Sequence, residues 1–128
     1  MRIAETVDRE FVSALANLGL KARHLRLLVV VDRAPGLNQR ELARRLGTDP
    51  GNLIAVLDSL EGDGLLERTR DPADRRQRLV SLSPRGRRVL AKGIRASAAV
   101  EKRVFGALPA AQQDAYYEMT LEIYRAMD

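Results

Sequence analysis

The stretch from Asn38 to Leu60 constrains the fold most, because it encodes two short helices with only a tight turn between them. Asn38 is suited to cap a helix N-terminus, and Glu41, three residues on, completes a capping box. Leu42, Ala43 and Leu46 supply the buried stripe, and Gly47 a left-handed C-terminal cap. Asp49 then caps a second helix that begins at Pro50, where the missing N–H costs nothing. At about 100° per residue, Leu53, Val56, Leu57 and Leu60 gather on one side of that helix. Gly51, Ala55 and Asp58 point the other way, with Asn52 and Ser59 on one flank and Ile54 on the other. An apolar stripe opposite a small, polar face suits a helix-turn-helix whose second helix enters a major groove. An ordinary helical hairpin of an all-α protein fits the same punctuation.

The residues after Gly64 remove much of that ambiguity. Residues 65–70 and 77–82 read as two short strands joined by an Asp-Pro-containing loop at 71–76. A two-stranded ribbon directly after the second helix is a wing, and alone it would be marginal, so it must pack on the helices. Upstream, Ile3, Val7, Phe11, Leu15 and Leu18 recur at helical spacing, and a further helix covers residues 21–33 before Pro35-Gly36 stops it. Downstream, Ser83 caps a long helix reaching about residue 105. Pro109 opens a last helix with Tyr116, Met119, Ile123 and Met127 on one stripe. The expected fold is mainly α with a small two-stranded β wing, in one continuous unit of 128 residues without linker or repeat.

Charge is concentrated where the wing is expected. From Glu67 to Lys92 there are nine basic residues against three acidic ones, a net +6 in a chain whose total is +5. A localised basic stretch points to a polyanionic partner, although a solvated charged face has the same composition. With 4% aromatic residues and no Trp, stacking on unpaired bases is a poor fit. The absence of cysteine excludes disulfides, thiolate metal sites and thiol redox sensing.

The segment NQRELARRLGTDPGNLIAVLDSLEGDGLLERTRDPADRRQRLVSLSPRGRRVL resembles the heart of a MarR-type regulator, through ELARRLG, LEGDGLLER and above all DPADRRQRLVSLSPRG. The likeness is sharpest over residues 38–90 and extends in helix order to nearly the whole chain. It implies a winged helix-turn-helix with flanking dimerisation helices: a DNA-binding lobe at 34–83, and dimer-forming helices at 1–18 and 84–128. It further implies a homodimer on double-stranded DNA, probing a pseudo-palindromic operator, with repression as the family default.

The same resemblance implies the site residues. In the wing, Asp74 and Arg76 match an Asp-x-Arg feature in which the arginine reaches the minor groove and the aspartate holds it, with Arg75 between them. A guanidinium suits a narrow groove because negative potential is concentrated there. Phosphate contact alone is the simpler role for Arg75 and Arg76. In the second helix the base-reading positions are Gly51, Asn52, Ile54 and Ala55, a departure from relatives that carry hydroxyl residues and an arginine there. Asn52 alone offers a strong hydrogen-bonding group, suited to adenine, while Ile54 or Ala55 can meet a thymine methyl. Gln39 and Arg40 are placed for the DNA backbone.

Members of the family also bind small, frequently aromatic effectors between their DNA-binding and dimerisation regions. Here the second helix would line that cleft, with the sole histidine, His24, near it, although a lone His is more often structural. No catalytic constellation, metal cluster, cofactor site or Gly-rich phosphate loop is recognisable, so an enzyme is not expected. Without an apolar N-terminal region or a membrane-length run, the chain is expected to be cytoplasmic and free of membranes. A winged-helix protein–protein module and a nonspecific basic nucleic-acid coat are the competing readings.

Overall fold

The computed structural model describes residues 2–115 and 118, the side chains of residues 2–4 and 7 excepted. Its elements run α1 (Arg2–Ala16), α2 (Ala22–Arg33), α3 (Gln39–Leu46), α4 (Pro50–Gly62), β1 (Leu66–Arg70), β2 (Arg78–Leu82) and α5 (Pro84–Gly106). Residues 110–115 are again helical. The stripe expected over Tyr116, Met119, Ile123 and Met127 lies outside the described residues, as do the side chains of Ile3 and Val7.

The helix boundaries are set by their caps. Asn38 Oδ1 accepts from the Glu41 amide at 2.8 Å, and the Glu41 carboxylate accepts from Asn38 Nδ2 at 2.9 Å. Gly47 closes α3 in the left-handed region (φ 62°), a conformation that a Cβ would strain. Asp49 accepts from the Asn52 amide at 3.1 Å with Pro50 inside the first turn, and Ser83 accepts from the Gly86 amide at 2.9 Å. The first helix ends two residues before Leu18, because a turn through Gly19 bonds the Leu20 amide back to the Leu15 carbonyl.

The core gathers around α2, whose Leu27, Leu28 and Val31 are buried. Leu42 and Ala43 of α3 join it, with Leu53, Leu57 and Leu60 of α4 and Leu66, Val80 and Leu82 of the sheet. The strands pair antiparallel from Leu66↔Leu82 to Arg70↔Arg78. The hairpin is braced as packing requires: the Val80 amide donates to the Leu37 carbonyl at 3.0 Å, and Asn38 bridges Leu79 as a stub of third strand. At the other end α1 lies along α5, where Arg103 meets Glu10 at 2.5 Å. That pair is largely exposed and marks the register of the two helices more than it stabilises them.

Candidate nucleic-acid interface

Local turn chemistry shapes the wing tip. Asp71 Oδ1 accepts from the Ala73 amide at 2.8 Å, and Asp74 Oδ1 accepts from the Arg76 amide at 3.1 Å. Two such aspartate turns in succession fold the 71–77 loop on itself, since each side chain replaces a backbone acceptor. Asp74 Oδ1 also accepts from Arg76 Nε at 3.4 Å, so one carboxylate sets both backbone and side chain of this arginine. The Arg76 side chain is nevertheless 91% exposed. Its guanidinium is thus aimed by Asp74 but not covered. Arg75 beside it is exposed and has no partner among the described residues.

The second surface is the N-terminal half of α4. Leu53, Leu57 and Leu60 are buried, and Gly51, Asn52, Ile54 and Ala55 are all exposed. The Asn52 carboxamide makes no hydrogen bond among the described residues, and Ile54 is 44% exposed. At Gly51 a Cβ would come to 3.1 Å of the Asp49 carboxylate, so this glycine makes room for the helix cap as well as leaving the face open.

Arg40 is exposed and unpartnered at the start of α3, whereas Gln39 is half-buried with its side-chain oxygen accepting from Arg68 at 3.3 Å. The structure therefore turns the Gln39 oxygen inward, and only its amide group remains for a phosphate. His24 is half-buried and its Nδ1 accepts from the Lys21 amide at 3.2 Å, capping α2. Burial, then the nearby Arg23 and Lys21 charges, hold its pKa below 6.5, which keeps Nδ1 an acceptor at neutral pH.

Arg68 is the functional residue that counting charges misassigns. Strand alternation places it on the inner face of the sheet with Leu66, opposite Val80, and its side chain is only 8% exposed. Its Nε donates to Glu61 at 2.9 Å, a second nitrogen pairs with Asp58, and a third donates to Gln39. One guanidinium thus joins β1 to the outer end of α4 and the start of α3. Two signals marked it in the sequence: its period-two phase with Leu66, and Asp58 and Glu61 three apart on the neighbouring helix.

The Arg68 hydrogen bond depresses the Glu61 pKa below 4.5, ahead of the opposing effect of burial. A depressed carboxylate adds stability above its unfolded pKa and loses it as pH falls through the folded one. Denaturant midpoints are therefore expected to be insensitive to this clamp from pH 6 to 8. The midpoint should then decline below about pH 4.5, and the Glu61→Gln variant should lose less over that acid range.

Comparison with known proteins places this geometry in context. The model of the MarR family matches residues 18–77. A MarR-family transcriptional regulator from Rhodococcus sp. RHA1 is 30% identical over 95% of this chain and 86% of its own, with a TM-score of 0.76. CouR, a transcriptional repressor solved on a 23-mer DNA duplex, is 35% identical over 96% of this chain and 87% of its own, with a TM-score of 0.84. A CouR from Rhodococcus jostii RHA1, solved bound to p-coumaroyl-CoA, is 31% identical over 95% of this chain and 86% of its own, with a TM-score of 0.72. The transcriptional regulator HosA of Escherichia coli O111:H- is 27% identical over 83% of this chain and 78% of its length.

Proposed function

The chain belongs to the MarR family of DNA-binding transcriptional regulators, and from that premise we propose that it is a repressor reading a pseudo-palindromic operator as a homodimer, released by a small-molecule effector. Proteins of this family are DNA-binding regulators and not enzymes. The observation that carries the reading is Arg76, exposed to solvent at the wing tip beside Asp74, which accepts from both its amide and its Nε. A guanidinium this exposed, with an aspartate at its base, is available to a partner of opposite charge, and a narrow minor groove supplies the potential that a guanidinium seeks. Arg75 and Arg40 meet phosphates, and Asn52, flanked by Ile54 and Ala55, reads an adenine in the major groove.

The lobe spans residues 34–83, with the flanking helices 1–18 and 84–128 forming the dimer. Two apolar side chains on α1 and α5 support this, Val12 at 62% and Ile94 at 51% exposure, since a paired helical interface would cover them. Two-fold symmetry sets the half-sites about 34–36 Å apart, in successive major grooves. The effector reading draws on the CouR structures, one solved on a DNA duplex and another, from Rhodococcus jostii RHA1, with p-coumaroyl-CoA. No helix among the described residues is long and apolar enough to cross a membrane.

Selection from random duplexes at physiological salt tests the reading directly: a palindrome is expected, and weak uniform binding or none would refute it. On the selected duplex, Arg76→Ala is expected to weaken binding about tenfold and to reduce the salt slope by about one per protomer. Asn52→Ala is expected to leave the slope unchanged while relaxing preference at one position per half-site, by about 1–3 kcal/mol. Full affinity and full specificity in both variants would overturn the assignment.

A further inference from the structure

The wing sets one like-charged pair face to face. Arg70 and Arg78 are partners in the antiparallel register, at the end of the ladder nearest the 71–77 loop. The Asp71 amide donates to the Gln77 carbonyl at 3.0 Å, and the Ser83 amide to the Leu65 carbonyl at 3.1 Å. Hydrogen-bonded positions alternate along the hairpin from these two ends, so Arg70↔Arg78 falls at a non-hydrogen-bonded one. Opposed side chains come closest there, with Cβ atoms about 4.5–5.5 Å apart, and like charges so placed destabilise a hairpin. Both arginines are exposed, and neither has an ion pair or a side-chain hydrogen bond among the described residues.

Their place along the hairpin is as telling as their charge. Strand alternation puts them on the face that carries Leu66, Arg68 and Val80, the face packed on the helices. Arg68, about 7 Å nearer the base of the wing, is tied to Asp58 and Glu61 of α4. Arg76 stands exposed at the tip. The pair therefore lies between the attachment of the wing to α4 and its free end. After the Arg68 hydrogen bond and charge, Arg78 also favours the ionised Glu61 carboxylate, which keeps its own charge on the α4 side. The α4 helix has no lysine or arginine, so phosphates beside it must be met from neighbouring elements.

A single sugar–phosphate strand separates the major groove of a duplex from the adjoining minor groove. A chain with α4 in the one and the wing tip in the other straddles that strand, and the stem of the wing crosses it. We infer that Arg70 and Arg78 form a clamp on a phosphodiester of this strand. The anion between them offsets the repulsion that the hairpin otherwise bears. The clamp reads no base; it fixes the separation between Asn52 in the major groove and Arg76 in the minor groove, and so the register of the lobe on its half-site. This rests on the proposed placement of α4 and the wing tip in adjacent grooves, and adds the backbone contact that holds them there.

The test compares the parent protein with Arg70→Gln/Arg78→Gln and Arg70→Lys/Arg78→Lys on the selected operator duplex across a salt series. The glutamine variant is expected to bind about tenfold or more weakly and to lower the salt slope by at least about one per protomer. Without DNA its denaturant midpoint should match or exceed that of the parent, because a repulsion has been removed. The lysine variant keeps both charges and should keep the slope. Single uncharged methylphosphonates then locate the contact. One position per half-site, between the Asn52 and Arg76 footprints, should weaken the parent and Arg76→Ala but not the glutamine variant. An unchanged slope in the glutamine variant would overturn the clamp. A lowered midpoint with equal loss of affinity in the lysine variant would make the pair structural and overturn it too. A reduced slope with no position-specific methylphosphonate effect would replace the clamp by diffuse charge. Where selection yields no operator, the slopes are taken on a random duplex. The same loss there would retain the arginines as phosphate contacts while the operator reading fails, and no loss would dismiss both.

Discussion

Replacing Gly86 with alanine is expected to cost about 3 kcal/mol of folding free energy, at the upper end of what overpacking does, and to lower Tm by roughly 10 °C. The reason is a backbone contact. A Cβ on Gly86 would lie 2.0 Å from the Leu65 carbonyl oxygen and 3.0 Å from its carbon, and neither can rotate away as a side-chain tip would. The same carbonyl accepts from the Ser83 amide at 3.1 Å, and Ser83 caps α5 through the Gly86 amide. Moving α5 outward to admit the methyl would therefore open the cap and the base of the wing together. Chemical denaturation of Gly86→Ala measures the loss. Gly106→Ala, where a Cβ meets nothing within 4 Å, is the control and should change stability little. Equal stability of both variants would mean that α5 does not approach the wing this closely.

The second large effect belongs to Arg68. Arg68→Met preserves the apolar stem and removes three polar contacts, and is expected to destabilise the fold by about 2 kcal/mol. The figure is kept modest because Asp58 and Glu61 remain 60% and 40% exposed, so water recovers part of their solvation. The more informative effect is on DNA. Arg68 ties β1 to α4 and α3, so its loss frees the wing to move against the recognition helix, and operator affinity should fall about tenfold. Because the buried guanidinium reaches no phosphate, the salt slope should stay at the parent value, whereas Arg76→Ala lowers it. In an Asp58→Asn/Glu61→Gln background the Arg68→Met change should add little, as residues of one network do not act additively. A reduced salt slope in Arg68→Met would instead make Arg68 a DNA contact.

The two arginines show how far composition reads a site. Arg68 and Arg76 are equal members of the basic run from Glu67 to Lys92, and both raise its charge. Only the strand phase separates them: Arg68 shares the inner face with Leu66, while Arg76 lies at the hairpin tip beyond the ladder. Gln39 shows the same limit from the other side. A polar residue in the first turn of a helix-turn-helix suits a phosphate contact, yet its oxygen is engaged by a residue 29 positions away. Nothing local to Gln39 signals that bond. His24, near the expected effector cleft by helix position, caps its own helix because Lys21 lies three residues before it.

Local sequence was enough to define the elements of the helix-turn-helix and its wing, since each depends on interactions within four or five residues. The Asn38 and Asp49 caps, the left-handed Gly47, Pro50 in the first turn and the paired strands after Gly64 all appear where that local chemistry put them. The Asp74–Arg76 pair at the wing tip was picked out by the family resemblance, and the turn that holds it is equally local. Packing between elements settled whatever depends on which distant surfaces meet. It set the Arg68 clamp across α3, α4 and β1, and the closeness of Gly86 to Leu65. Those contacts join residues up to about thirty positions apart through the packing of α2 at the centre, and periodicity in one segment carries no information about the register of another.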